Sequence, residues 1–331
     1  MSKILILGAT GAMATYLIPE LLKKGNCITG VSLDDVTSDD PHLTYVKANA
    51  MDKEFLKATL TEGYDAIVDF MIYNSKELFE EYYELFLKNW SHYIFLSTYR
   101  VYAGEHPITE NSLRILEMER PDDFVMEHEY SIYKAQEEDV LCASGYKNFT
   151  IVRPAITYSQ CRFQLTTLEA PVFIYRMKHG KTVILPEGAM DRQATMTWAG
   201  DVAKMFAAII LNPKAYGETY TVSTAEHHTW REVAEMYKRI GGLEYTVVDD
   251  ETFIALVGGS FASRQQLKYD RCYDRIVDNS KILNLMGITQ EDLMPLEKGL
   301  RYEFESLTEE RLARIGYNER TNPRMDAYLE K

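Results

Sequence analysis

The chain has 331 residues, of which 46% are hydrophobic, so it can bury a large core and is expected to form one large domain plus a smaller one. Its formal net charge of −14 repels nucleic acid over most of the surface. No run of about 18 apolar residues predicts a membrane span, and no signal-like segment opens the sequence, so a cytoplasmic protein is expected.

The first predicted element is a buried strand, followed by a glycine-containing turn and a helix. Ile4–Leu7 is a continuous apolar run, which is typical of a parallel strand covered on both faces. Gly8 permits a tight turn, Gly11 leaves room for a phosphate, and the small Ala14 lets a helix over about Ala12–Lys24 pack closely. This spacing between a strand and a helix predicts a dinucleotide site with the pyrophosphate at the helix N-terminus. The alternative is a simple strand-to-helix turn.

The second predicted strand, Asn26–Leu33, leads into Asp34. An acid about 20 residues after the turn can accept hydrogen bonds from the adenosine ribose and repels a 2′-phosphate, so NAD is favoured over NADP. Two alternatives stay open. If the strand ends earlier, Ser32 takes the position that distinguishes NAD from NADP. Alternatively, Asp34 and Asp35 could be turn residues only.

Strands and helices alternate along the next part of the chain. This alternation predicts a Rossmann-type, doubly wound parallel sheet, in which ligands bind outside the carboxyl ends of the strands. The predicted elements are strands over Leu43–Lys47, Tyr64–Phe70 and Tyr93–Leu96, a helix from the Asp52 cap to Leu60, and an amphipathic helix over Lys76–Trp90.

A tyrosine and a lysine are spaced one turn apart in the next predicted helix. Tyr130 and Lys134 stand at positions i and i+4, so both project from one helix face. An ammonium group beside a phenol favours the phenolate and tunes the tyrosine for general acid/base work near neutral pH. The spacing alone is weak in a chain with 23 tyrosines, but here it follows a glycine-rich turn and Ser97–Thr98 at a strand end. That order favours a catalytic pair over a surface tyrosine beside a solvated lysine.

These motifs together resemble the extended short-chain dehydrogenases/reductases, the family of nucleotide-sugar epimerases, dehydratases and reductases. The similarity runs along nearly the whole chain and rests on the Tyr130/Lys134 pair and on residues 8–11, 95–102, 152–154, 198–203 and 278–281. The resemblance implies that Tyr130 is the acid/base, that Thr98 hydrogen-bonds the reacting oxygen, and that Lys134 holds the nicotinamide ribose. With the turn and the acid already described, the expected cofactor contacts are Gly8, Thr10, Gly11, Ala12, Met13, Asp34, Lys134 and Pro154.

Departures from the family pattern narrow the expected function. Family dehydratases follow the catalytic threonine with Asp-Glu, whereas this chain has Tyr99 and Arg100, so a sugar 4,6-dehydratase is disfavoured. The pattern of the family's decarboxylases has a Glu at the place of Arg100, so a decarboxylase is disfavoured as well. Ile156 stands where an Asn is often seen, which indicates that the sugar contacts are not the usual ones. The acidic segment before Tyr130 is also longer than the family norm.

The rest of the chain is less regular and is assigned mainly to substrate binding. We expect an NAD-binding domain over residues 1–158, to which 191–225 returns, and a smaller mixed substrate-binding domain over 159–190 and 226–331. The predicted elements are helices over Val172–His179, Asp201–Leu211, Thr229–Gly241, Asn279–Met286, Pro295–Glu305 and Thr308–Ile315, and strands over Tyr220–Ser223 and Thr246–Asp249.

Polar residues in this part include candidate substrate contacts but no metal-binding pattern. Arg192 and Arg264 could pair with a nucleotide pyrophosphate or could be surface arginines of an acidic protein, and Tyr99 is a further candidate. The seven histidines show no ligand spacing. No metal is expected, because Cys27, Cys142, Cys161 and Cys272 lie far apart and lack the CxxC spacing of zinc sites.

The sequence therefore predicts an NAD-dependent 4-epimerase or keto-reductase that acts on a nucleotide-linked sugar through Thr98, Tyr130 and Lys134. The alternative is a catalytically silent Rossmann-type protein that binds RNA or another protein, as some similar proteins do in chloroplast RNA metabolism. The resemblance also implies a homodimer, with the Lys76–Trp90 and Tyr130–Ala143 helices in a four-helix bundle. The apolar stripe on these helices could equally be core.

Overall fold

The structure is a computed structural model that describes residues 1–89, 91–104, 106–119, 124 and 129–331. Its main sheet is parallel throughout, and its strand order is β13-β6-β5-β4-β1-β2-β3. In chain order the strands are β1 Lys3–Leu7, β2 Cys27–Ser32, β3 Leu43–Lys47, β4 Ala66–Asp69, β5 His92–Leu96, β6 Phe149–Pro154, β7 Ile156–Tyr158, β8 Gln164–Leu165, β9 Leu168–Glu169, β10 Val183–Pro186, β11 Gln193–Ala194, β12 Met196–Trp198, β13 Glu218–Val222, β14 His228–Thr229 and β15 Tyr245–Val248.

Helices cover both faces of this sheet, so the central strands are apolar and buried along their length. The Rossmann-type, doubly wound fold expected from the sequence is confirmed. The helices are α1 Ala14–Lys23, α2 Lys53–Leu60, α3 Lys76–Glu80, α4 Tyr83–Leu87, α5 Tyr130–Ala143, α6 Ala170–Lys178, α7 Glu187–Met190, α8 Ala199–Ile209, α9 Trp230–Gly241, α10 Asp250–Leu256, α11 Phe261–Gln266, α12 Ser280–Met286, α13 Leu296–Glu305, α14 Glu309–Ile315 and α15 Asn322–Leu329. None of these helices is both long and apolar enough to cross a membrane.

The predicted helix over Lys76–Trp90 forms two short helices instead, and Trp90 lies outside the described residues. The break falls at Tyr82, whose buried hydroxyl donates to the Met51 carbonyl at 2.7 Å. The amide of Tyr82 bonds the Phe79 carbonyl three residues back, as in a turn. A packing contact with a distant loop therefore overrides an uninterrupted helical pattern.

The apolar stripe of α5 is core within this chain. Ile132 and Ala135 pack with Ile115 and Phe124, which belong to the long segment between the 3₁₀ turn Tyr99–Val101 and α5. This burial satisfies the stripe without a second subunit, so the homodimer implied by the resemblance remains a prediction.

A buried carboxylate ties the C-terminal part to the main sheet. Glu303 on α13 accepts hydrogen bonds from Tyr16 at 2.6 Å, from the Trp198 indole at 2.5 Å and from the Gln160 amide at 2.9 Å. Because Tyr16 lies on α1, these bonds fix α13 beside the helix that follows the glycine turn.

Candidate active site

The glycine turn has the conformation that the sequence predicts. Gly8 follows β1 with φ of +82°, and a Cβ there would lie 3.3 Å from the Cβ of Phe70, so both backbone and space favour glycine. The Gly8 amide donates to Val31 at 3.0 Å and the Gly11 amide donates to Gly8 at 3.1 Å. The regular helix begins at Ala14, two residues later than expected.

A cavity of about 620 Å³ runs from this turn across the carboxyl ends of the neighbouring strands. It brings most of the predicted site residues together, because the ends of the consecutive strands β6, β5, β4 and β1 lie side by side in the sheet. The predicted residues that line it are Gly8, Thr10, Gly11, Ala12, Met13, Thr98, Tyr99, Tyr130 and Pro154.

A second cavity, of about 300 Å³, shares Gly8 and Thr10 with the first and extends past β2. Strand β2 ends at Ser32, one residue before the predicted end, so Ser32 takes the strand-end place and Asp34 lies exposed beyond it. The hydroxyls of Ser32 and Thr10 are 2.7 Å apart, and the Ser32 hydroxyl accepts a bond from the Asp34 amide at 3.1 Å. Both Ser32 and Asp34 line this cavity.

The two cavities together fit a dinucleotide. They meet at Gly8, where a side chain would fill the space. Ala12, Met13 and Ala14 at the N-terminus of α1 line the larger cavity, which puts the positive end of the helix dipole at the junction. A pyrophosphate at the junction leaves one cavity for each nucleoside half, and the larger cavity leads to Thr98 and Tyr130.

Thr98 and Tyr130 lie on adjacent elements at the larger cavity. Thr98 follows β5 and caps the Tyr99–Val101 turn, where its Oγ accepts the Arg100 amide at 3.3 Å. Tyr130 begins α5 after the cap residue Glu129. Arg100 links the two, because its guanidinium carbon lies 5.7 Å from the Tyr130 ring centre and its Nη2 lies 2.7 Å from Glu129.

Lys134 shares a helix with Tyr130 but is not among the residues that line the cavity. Its ammonium group is fully buried, donates to Glu137 at 2.9 Å and lies 4.6 Å from the centre of the Phe95 ring. The i,i+4 spacing therefore puts both residues on α5 without bringing the two functional groups to the same cavity.

The partner of Lys134 belongs to an acidic cluster that sequence reasoning missed, formed by Asp69, Glu137 and Lys134. Asp69 ends β4 and accepts hydroxyl bonds from Tyr93 at 2.7 Å and from Tyr73 at 2.9 Å. Burial raises the pKa of Asp69, and burial raises the pKa of Glu137 to about 7 although the Lys134 charge lowers it. Two features of the sequence could have revealed this cluster: an Asp at the end of an apolar strand and a Glu three residues after Lys134.

The structure does not place Arg192 or Arg264 among the residues that line the cavity. Arg192 lies 3.7 Å from Asp274 and is half exposed, and Arg264 pairs with Glu251. Both arginines are thus held by carboxylates of their own region. The arginines that do line the cavity are Arg100, Arg162 and Arg271, which sequence reasoning did not select as substrate contacts.

Comparison with known proteins identifies a matching family and solved structures with a similar fold. A sequence model of the NAD dependent epimerase/dehydratase family matches residues 4–223. A search of curated proteins found no match.

Similar solved structures include Pal from Bacillus thuringiensis, with a TM-score of 0.71, 16% identity and coverage of 92% of this chain and 100% of that one. The UDP-glucuronic acid 4-epimerase from Bacillus cereus, solved with UDP-glucuronic acid and NAD, has a TM-score of 0.68 and 16% identity over 95% of this chain and 99% of that one. The dTDP-glucose 4,6-dehydratase from Bacillus anthracis, solved with NAD, has a TM-score of 0.68 and 17% identity over 92% and 96%. At these identities the likeness shows the fold.

Proposed function

Because the chain belongs to the NAD-dependent epimerase/dehydratase family of enzymes, we propose that it is a 4-epimerase or keto-reductase of a nucleotide-linked sugar. The observation that carries this proposal is the single cavity that joins the glycine turn to Thr98 and Tyr130. Solved neighbours bound to NAD, and one bound to UDP-glucuronic acid, support the same ligand classes.

In the proposed mechanism, Tyr130 takes the proton from the hydroxyl that is oxidised and later returns it to the carbonyl oxygen. Thr98 donates a hydrogen bond to that oxygen and holds it while its charge changes. A nicotinamide cofactor held at the glycine turn would supply hydride transfer from and to the same carbon. An epimerase returns the hydride to the other face of the turned sugar, whereas a reductase consumes external reduced cofactor.

Lys134 remains the proposed contact to the nicotinamide ribose. The proposal requires its ammonium group to release Glu137, because that ion pair holds it away from the cavity lining. Arg100 is the cation whose guanidinium lies over the Tyr130 ring.

The cavity lining disfavours elimination of water. Among the described residues, no Asp or Glu lines the larger cavity. Tyr99 and Arg100 occupy the two places where dehydratases of the family have an Asp-Glu pair. The described lining residues therefore offer no carboxylate pair of the kind that removes a hydroxyl. We therefore propose oxidation and reduction at one carbon rather than 4,6-dehydration.

We propose NAD rather than NADP as the cofactor. Asp34 lines the smaller cavity, where its negative charge opposes a 2′-phosphate, whereas the neighbouring Asp35 pairs with Lys47. Ser32 at the strand end weakens the discrimination, because it is uncharged. We also propose the homodimer and the domain division set out from the sequence.

Calorimetry on cofactor-stripped protein tests the cofactor site. We expect NAD and NADH to bind, with weaker binding of the two phosphorylated cofactors. Failure of all four to bind would contradict the proposal. A tenfold preference for NADPH would contradict only the argument from Asp34.

The NAD complex should then be mixed with UDP- and dTDP-linked sugars and followed by proton NMR. A new C4 epimer without net cofactor consumption identifies an epimerase, and a stoichiometric loss of NADH identifies a reductase. Tight binding of mixed RNA at physiological salt, with no sugar bound, would instead support the silent RNA-binding alternative.

A further inference from the structure

The larger cavity is positively charged although the chain as a whole is strongly acidic. Three arginines line it, Arg100, Arg162 and Arg271, and no Asp or Glu of the described residues does so. The chain has 50 acidic and 36 basic residues, so this lining departs sharply from the average composition. Such a lining favours an anionic ligand.

Two of these arginines belong to a buried basic cluster, defined here as Arg100, Arg271, Arg275, Asp270 and Glu129. Arg271 and Arg275 both pair with Asp270, Arg275 at 3.1 Å, and Arg100 pairs with Glu129 at 2.7 Å and lies 3.4 Å from Asp270. Each side chain is at most 15% exposed. Among the residues that the structure describes in this cluster, three guanidinium groups against two carboxylates leave one positive charge in excess. A buried charge without a counterion is unfavourable, so an incoming anion would stabilise the cluster.

Of the three arginines in the basic cluster, Arg100 and Arg271 line the cavity and so present positive charge to a ligand. Arg275 is held by the carbonyls of Tyr102 and Ala103 and does not line the cavity. Arg271 is fixed by the Thr166 carbonyl at 2.8 Å and by Gln164 at 3.3 Å.

Arg100 lies next to the proposed reacting groups. Its amide bonds the Thr98 hydroxyl, and its guanidinium lies over the Tyr130 ring at 5.7 Å. An anionic group bound by Arg100 would therefore lie beside the Tyr130 ring, in the part of the cavity that Thr98 and Tyr130 also line. In a nucleotide-linked sugar the phosphates are attached at C1, across the ring from C4. A carboxylate at C6, in contrast, is attached to C5, the neighbour of C4.

We propose that Arg100, supported by Arg271, binds a carboxylate on the sugar and selects a nucleotide-linked sugar acid as the substrate. This inference rests on the proposed function, because it places the reacting carbon at Thr98 and Tyr130. A guanidinium is suited to this task, since its planar donors match the two oxygens of a carboxylate.

The test compares binding of UDP-linked and dTDP-linked glucuronic acid with binding of the corresponding glucose compounds, by calorimetry on the NAD complex. The members of each pair differ only in a carboxylate or a hydroxymethyl group at C6. We expect the wild-type protein to bind the acid roughly tenfold to hundredfold more tightly, the range of a charge-assisted hydrogen bond. This comparison needs no variant and cannot be confused with misfolding.

Variants then assign the preference to Arg100. Arg100→Gln should reduce the acid-over-neutral ratio to about one, and Arg100→Lys, which keeps the charge but loses the planar donors, should retain part of it. Arg239→Gln is the matched control, since it removes the same charge outside the cavity, where Arg239 pairs with Glu297, and should leave the ratio unchanged.

Equal binding of the acid and neutral sugars by the wild-type protein would overturn the inference and leave the proposed function standing. An unchanged ratio in Arg100→Gln, with turnover lowered equally on both sugars, would also overturn it, because Arg100 would then act only on Tyr130. Binding of none of the sugars, with NAD still bound, would contradict the proposed function itself.

Discussion

Two buried charge clusters flank helix α5, and they have opposite excess charge. The acidic cluster has two carboxylates for the single ammonium of Lys134, whereas the basic cluster has three guanidinium groups for two carboxylates. Tyr130 adjoins the basic cluster through Arg100, and Lys134 belongs to the acidic one.

Positions i and i+4 on one helix can therefore have unlike electrostatic surroundings. Helix α5 presents Tyr130 at the cavity, beside an excess of positive charge, and directs the Lys134 ammonium to carboxylates in the core. We infer that proton transfer depends on the basic cluster and that folding stability depends on the acidic one. The predictions below separate these two roles.

Tyr130→Phe should have the largest effect, on activity alone. Removal of a general acid/base typically lowers turnover by about 10² to 10⁴-fold. We expect a loss in that range, with NAD affinity and unfolding free energy nearly unchanged, measured by steady-state kinetics and calorimetry. Tyr133→Phe is the control on the same helix, because Tyr133 does not line the cavity. Near-normal turnover in Tyr130→Phe would show that another group carries the proton.

Lys134→Met should have the next largest effect, on stability through the lost ion pair and on NAD binding through the proposed ribose contact. Removing one partner of a buried ion pair leaves uncompensated charge and typically lowers the free energy of unfolding by about 3 to 5 kcal/mol. Urea unfolding at pH 7 measures the loss. The double variant Lys134→Met/Glu137→Gln should recover much of it, because the unpaired carboxylate is gone. A fully stable Lys134→Met protein would contradict the assignment of Lys134 to the acidic cluster.

The pH dependence of stability should reveal Glu137. Its pKa is about 7 in the folded chain against an ordinary value of 4.5, so the folded state holds an extra proton between these values. Stability contributed by this group is present below about pH 4.5 and is lost as the pH rises towards 7, by about 3 kcal/mol. Glu137→Gln should lack this loss, whereas the exposed Glu319→Gln should keep it. Parallel stability curves for wild type and Glu137→Gln would refute the prediction.

Arg192→Gln and Arg264→Gln should have the smallest effects. Both arginines pair with carboxylates away from the cavity lining, and exposed ion pairs typically contribute less than about 1 kcal/mol. We expect sugar binding within about twofold of wild type. A tenfold loss for either variant would restore the pyrophosphate contact considered from the sequence.

Local sequence determined much of the fold and part of the site. The apolar run before Gly8 specifies a buried strand, and glycines at positions 8 and 11 specify a tight turn, because both constraints act within a few residues. Asp52 and Thr229 cap their helices as predicted, since capping bonds reach only two or three residues along the chain. Thr98 and Tyr130 reach the cavity because strand ends converge in a parallel sheet.

Tertiary structure alone decided the electrostatics of the site. The Lys134–Glu137 pair is local, at positions i and i+3 of α5, but the approach of Lys134 to Asp69 at the end of β4 joins distant segments, and no local pattern encodes it. Arg100 and Arg271 share a buried neighbour, Asp270, for the same reason. Helix periodicity gives the direction of a side chain from its own helix, but the charge that meets it there depends on which distant element packs against that face.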